Sequence, residues 1–222
     1  MSDGQPVLLL HGPGDGRGGE PWAVALRDVG WAGTVLAPDL PGHGTTPAPE
    51  GGAYELVDAA FDVLPLLAGL GGDRPVIVGV GSNGWAAELL ALGGRAAALV
   101  LVDGLGGPWR APADVIADER AWLRAVADDP AATGPAPRDG LDPRLRHVVH
   151  RQTSIELARH GAQALAVPVL VLESPASSTG AELDDLVGCF EDATVRTVPD
   201  PDAAGVASAI VTWADALHPT AR

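Results

Sequence analysis

Short apolar runs alternate along this chain with longer amphipathic stretches, and few folds accommodate that rhythm. "PVLLLH" (6–11), "TVLAP" (34–38), "PVIVGV" (75–80), "AALVLVD" (97–103), "PVLVLE" (168–173) and "TVRTVP" (194–199) read as strands. The first five are nearly continuous hydrophobics, the pattern of strands covered on both faces of a parallel sheet. Helical stretches are expected over about 20–29, 54–69, 84–93, 181–189 and 203–217. Strand–helix–strand repeats of this length require right-handed crossovers. The expectation is an α/β fold with a doubly wound, mostly parallel sheet of about six strands. In such sheets ligands bind beyond the carboxyl ends of the strands. Those ends carry "HGPGDG", "DLPGHG", "GSNG", "DGLGG" and "ESPASS".

One interval breaks the rhythm. Residues 104–166 hold two expected helices, about 113–127 and 141–162, and a Pro/Gly-rich joint, "DDPAATGPAPRDG". That is too long for a simple crossover. The reading is a core of residues 1–103 and 167–222 with a small helical cap, 104–166, inserted over the strand ends.

Composition excludes several classes. Fourteen basic residues face 29 acidic ones, a net charge of −15, so phosphate backbones and anionic lipid surfaces repel the chain. Nucleic acid and membrane are therefore not expected as partners. No apolar run reaches the roughly 18–20 residues that span a bilayer. "MSDGQP" carries no basic stretch before an apolar run, so a cytoplasmic location is expected. Cys189 is the only cysteine, which rules out an internal disulfide.

Three motifs, in this order, resemble the α/β-hydrolase superfamily: "PVLLLHG", the turn "APDLPGHG", and "VIVGVGSNG". The inserted interval and then "VPVLVLE" continue the resemblance over almost the whole chain. It implies a trimmed sheet of about six strands and a nucleophile elbow, a sharp strand-to-helix turn that presents a serine. Two registers of that elbow are open. With Ser82 as nucleophile, Val80, Gly84 and Trp85 fall where the family has small residues, and one of the three fits. With Gly81 in that place the residues are Gly79, Asn83 and Gly84, and two fit. The second register holds no nucleophile.

The rest of the implied machinery departs from the family pattern. The acid's turn reads "ESPASSTG", with Ser177 near the acid's position and Glu173 several residues early. The base's loop reads "VPDPDAAG", with Asp202 and Ala203 where Gly-His would stand; the later His218 follows the last expected helix. A serine without a positioned base is a poor nucleophile. Pro13, after His11-Gly12, has no N–H to give an oxyanion hole, where each donor contributes roughly 3 kcal/mol. Gly14 is its possible substitute.

Other candidates have plain alternatives. His11 and His43 fit loop-bracing roles, Asp39 a turn-bonding role, and Asp103 that of a displaced acid or a turn residue. Arg144, His147 and Arg151 share one face of the second cap helix, either to hold a carboxylate or as a solvated face. Trp85 and Trp109 lie near strand ends, as pocket walls or core. No metal site and no cofactor are expected: His147 and His150 lack a completing ligand. The leading expectation is a divergent member that binds a small, mainly apolar molecule with an incomplete Ser-His-Asp triad. It places Gly12, Pro13, Gly14, Gly81, Asn83, Trp85 and Trp109 around the pocket. The alternatives are an ester, lactone or thioester hydrolase acting through Ser82, and a protein-interaction module.

Overall fold

The computed structural model describes residues 4–12, 18–48, 56–103, 124, 155–174, 181–199 and 202–217. Six strands form one parallel sheet: β1 (Val7–Leu10), β2 (Val35–Leu36), β3 (Val76–Val80), β4 (Ala98–Val102), β5 (Val169–Glu173) and β6 (Ala193–Thr197). Their spatial order is β2-β1-β3-β4-β5-β6, every pair parallel. The helices are α1 (Glu20–Asp28), α2 (Leu56–Asp62), α3 (Leu64–Ala68), α4 (Gly84–Leu92), α5 (Ile155–Ala164), α6 (Ala181–Val187) and α7 (Ala203–Leu217). The doubly wound α/β sheet expected from the alternation is present.

Apolar residues of the central strands alternate between two cores, as period-2 geometry requires. Leu8, Leu10, Ile77, Leu99 and Leu101 face one side with α2, α4 and α5. Val7, Leu9, Val76, Val78 and Val100 face the other with α1 and α7. All ten are 0% exposed.

Two local readings change. β2 was expected to be covered on both faces. It is instead a two-residue edge strand on β1, with Val35 and Leu36 half-buried, because no strand among the described residues pairs on its far side. The single helix expected over 54–69 is broken at Val63 into α2 and α3. Pro65 explains the break: it has no N–H and its ring clashes with the carbonyl four residues back, so it belongs in a first turn.

Helix α5 lies beside α4 and α6 and serves as the crossover between β4 and β5. Apart from Arg124, residues 104–154 of the expected cap lie outside the described residues. No helix among the described residues is long and apolar enough to cross a membrane.

Candidate functional site

The sheet order places the site. From β1 the chain winds outward to β2, then returns past β1 to form β3 and the strands beyond. β1 and β3 are therefore neighbours whose connections leave in opposite directions. That is where an open α/β sheet leaves a crevice beyond its carboxyl ends. His11-Gly12 ends one strand, and Gly81-Ser82-Asn83 ends the other.

The turn after β3 is built by glycines. Gly81 has φ +57°, the left-handed region that costs an L-residue roughly 1–2 kcal/mol. A Cβ placed on it would meet no described atom within 4 Å. A Cβ on Gly79 would stand 2.6 Å from Gly84 Cα and 2.8 Å from Ala87 Cβ. Strand β3 and helix α4 thus touch backbone to backbone. The left-handed residue of the turn is Gly81, with close-packed glycines two residues before it and three after.

Ser82 follows within a single 3₁₀ turn, Gly81–Asn83. It is 6% exposed, and its Oγ has no hydrogen-bond partner among the described residues. Asn83, equally buried, donates from Nδ2 to the His11 carbonyl at 2.5 Å. It holds the end of β1 against the turn after β3.

The two motif histidines are braces. His11 Nε2 accepts the Leu40 N–H at 3.0 Å, so the ring proton sits on Nδ1, 3.1 Å from the Gly12 carbonyl. His43 packs edge-on against it, centroids 4.6 Å apart, with Nδ1 3.1 Å from the Pro41 carbonyl. Both rings are buried and neither bonds Ser82 Oγ.

Asp39 gathers the neighbouring loops. It accepts N–H bonds from Gly19 at 3.0 Å and Thr45 at 2.9 Å, and the Thr45 hydroxyl at 3.0 Å. These donors, the Thr45 amide first, lower its pKa below the usual 3.8 despite partial burial. Side chains at Gly18 or Gly44 would collide with its carboxylate.

The far strand ends have other tasks. Asp103, after β4, holds φ +53° and accepts the Ser174 N–H at 2.8 Å, tying the ends of β4 and β5. Glu173 is half-buried. Burial first, then the charges of Asp184 and Asp103, raise its pKa. Asp202 Oδ1 accepts the Gly205 N–H at 2.7 Å and so caps α7. Ala203 opens that helix.

Trp85 is half-buried on the first turn of α4. Pro13, Gly14, Trp109, Arg144, His147, Arg151, Ser177 and His218 lie outside the described residues. No metal-binding cluster occurs among the described residues. Two clefts lined by described residues lie elsewhere. One, of about 460 Å³, sits at the amino ends of the strands around Gln5 and Arg74. The other, of about 340 Å³, runs between α2 and α4.

The alpha/beta hydrolase family model matches residues 7–219. The chain belongs to the alpha/beta hydrolase family. No curated protein matches it. Among solved structures, a hydrolase from Pseudomonas aeruginosa is 20% identical, with a TM-score of 0.70 over 100% of this chain and 92% of that one. A malate-bound thermophilic esterase from Thermogutta terrifontis is 23% identical, with a TM-score of 0.70 over 98% and 92%. An enol-lactonase from Burkholderia xenovorans is 19% identical, with a TM-score of 0.66 over 96% and 90%. At such identities the likeness carries the fold.

Three contacts of this site have partners that the sequence did not name: the Asn83 grip on His11, the Leu40 bond to His11, and the Asp103 clamp on Ser174. Each joins residues 29 to 72 positions apart. Two of them left traces: an Asp directly ends an apolar strand, and His11 stands in a motif that suits a loop brace.

Proposed function

We propose that this chain is a non-hydrolytic member of the alpha/beta hydrolase family that binds a small, mainly apolar molecule beyond the carboxyl ends of β1 and β3. The observation that carries this reading is the left-handed conformation of Gly81. The residue at the apex of the elbow has no side chain, while the neighbouring hydroxyl, Ser82, is buried with no base among the described residues. A hydroxyl without a positioned acceptor is not activated, and loss of triad members costs orders of magnitude in rate. Asp202, near the expected place of the base, caps a helix instead. Gly12, Gly81, Asn83 and Trp85 form the pocket floor in this reading. Pro13, Gly14, Trp109, Arg144, His147 and Arg151 are candidates for its walls. A cytoplasmic setting belongs to the same reading.

The test uses an active-site serine probe and a ligand screen. A fluorophosphonate is expected to leave Ser82 unlabelled, and short p-nitrophenyl esters to be cleaved no faster by the wild type than by Ser82→Ala. Stoichiometric labelling at Ser82, lost in Ser82→Ala, would establish the hydrolase alternative. In a thermal-shift screen of apolar acids and esters, at least one is expected to raise the melting temperature. A screen with no shift would leave the interaction-module alternative.

A further inference from the structure

Glu88 lies away from the site and has no part in the reading above. It is the one charged residue of α4, "GWAAELLAL", and it is 2% exposed. Helix α5 crosses directly over it. A Cβ placed on Gly161 would stand 2.6 Å from Glu88 Oε1 and 3.6 Å from Leu92 Cδ1. Residue 161 therefore leaves room for the carboxyl by having no side chain. Ala158, Ala162 and Leu165 of the same stretch are buried in the shared core. Oε1 meets no hydrogen-bond donor among the described residues.

No described charge compensates this carboxyl. The strands packed against α4, namely β1, β3 and β4, carry no titratable residue. On α2, Asp58 and Asp62 are exposed. On α5, His160 is exposed and Arg159 is paired with Asp185 of α6. Arg95, just beyond α4, is exposed. Burial is the sole cause that shifts Glu88, and it pushes the carboxyl up to about 8.

We propose that the seam between α4 and α5 is a proton-operated latch, in which α5 seats on α4 only while Glu88 is neutral and lifts away when Glu88 ionises. An ionised carboxyl with neither donor nor counter-charge is costly in an apolar seam. Moving α5 aside lets water reach it. Helix α5 also leads the chain into β5, so the latch acts on the crossover between β4 and β5. The sign follows from linkage. In the opened state Glu88 titrates near its ordinary value of 4.5, and in the closed state near 8. The opening constant is then unaffected by Glu88 below about 4.5, rises by up to tenfold per pH unit between the two values, and levels above.

Hydrogen–deuterium exchange on the full chain tests this, in wild type and Glu88→Gln, from about pH 5 to about pH 9, with intrinsic exchange rates divided out. In the wild type the α5 amides are expected to open roughly tenfold more per pH unit between about 6 and 8, ahead of the β3 and β4 amides. Glu88→Gln, which fills the same volume without titrating, is expected to show no such rise. Parallel profiles in the two proteins would overturn the latch. So would α5 exchanging in step with β4 at every pH, since the pH effect would then belong to global unfolding. If Glu88→Gln does not fold, a carbon-13 titration of the Glu88 carboxyl in the wild type decides. A midpoint raised above 4.5, with exchange of the α5 amides rising through the same pH range, supports the latch; a midpoint near 4.5, or α5 exchange that stays flat through a raised midpoint, removes it.

Discussion

Asp39, in the loops beyond β1 and β2, receives three hydrogen bonds and is held ionised. Glu88, in the seam between α4 and α5, receives none at Oε1 and is held neutral well past its usual range. Both are carboxyls in one acidic chain. The difference between them is what the fold supplies around each. Amides aimed from two loops repay the cost of keeping a charge partly out of water, whereas an apolar helix face with a glycine opposite supplies only room. The loops therefore depend on a charge, and the helix seam depends on its absence. The same contrast appears in miniature within the elbow. Asn83 finds an acceptor across the sheet end, while Ser82, next to it, finds none among the described residues.

The largest expected effect is on Glu88. Its folded-state pKa is raised, so its share of stability is fully present below about 4.5 and is lost as pH climbs towards about 8. The loss should approach 1.4 kcal/mol per pH unit inside that window, with no further loss above it. Urea unfolding of wild type and Glu88→Gln across this range isolates the effect as the difference between the two curves. A difference that stays constant with pH would erase the contrast with Asp39.

A smaller loss, of the opposite sign in pH, is expected at the loops. Asp39→Ala removes three bonds to a charged acceptor, worth about 2 kcal/mol at neutral pH once partial exposure is allowed for. Because its pKa is lowered, that contribution is present above 3.8 and fades as the medium is acidified through the folded-state value. Chemical unfolding at neutral and strongly acid pH should show the gap between wild type and Asp39→Ala closing on the acid side. A gap that persists would mean the side chain acts through packing instead.

Ser82→Ala should change least, by no more than about 0.5 kcal/mol in either direction. It deletes a buried hydroxyl with no partner among the described residues, and such groups give little net stability. A loss above about 1.5 kcal/mol on denaturation would reveal a bond between Ser82 and a residue such as Gly14 or Trp109, outside the described residues.

The alternation of apolar and amphipathic stretches set β1, β3, β4 and β5 nearly to the residue, because side-chain periodicity is a local property that survives without neighbours. It overstated β2, since "TVLAP" says nothing of how many partners will flank it. It missed the break at Val63, although Pro65 was in plain view. At the elbow, counting small residues narrowed the turn to two registers. "GSNG" alone did not choose between them: the left-handed residue is set by where α4 touches β3, the contact of Gly79 with Gly84 and Ala87. The sequence by itself determined the layered α/β architecture, the glycine-rich strand ends and the absence of a histidine from "VPDPDAAG". Only the tertiary structure decided that Gly81 takes the left-handed conformation, that Asn83 holds His11, and that burial raises the Glu88 pKa. Each of these depends on what approaches from across the fold. Close packing, hydrogen bonding and desolvation act between atoms near in space, and Gly161 lies 73 residues from the carboxyl it makes room for.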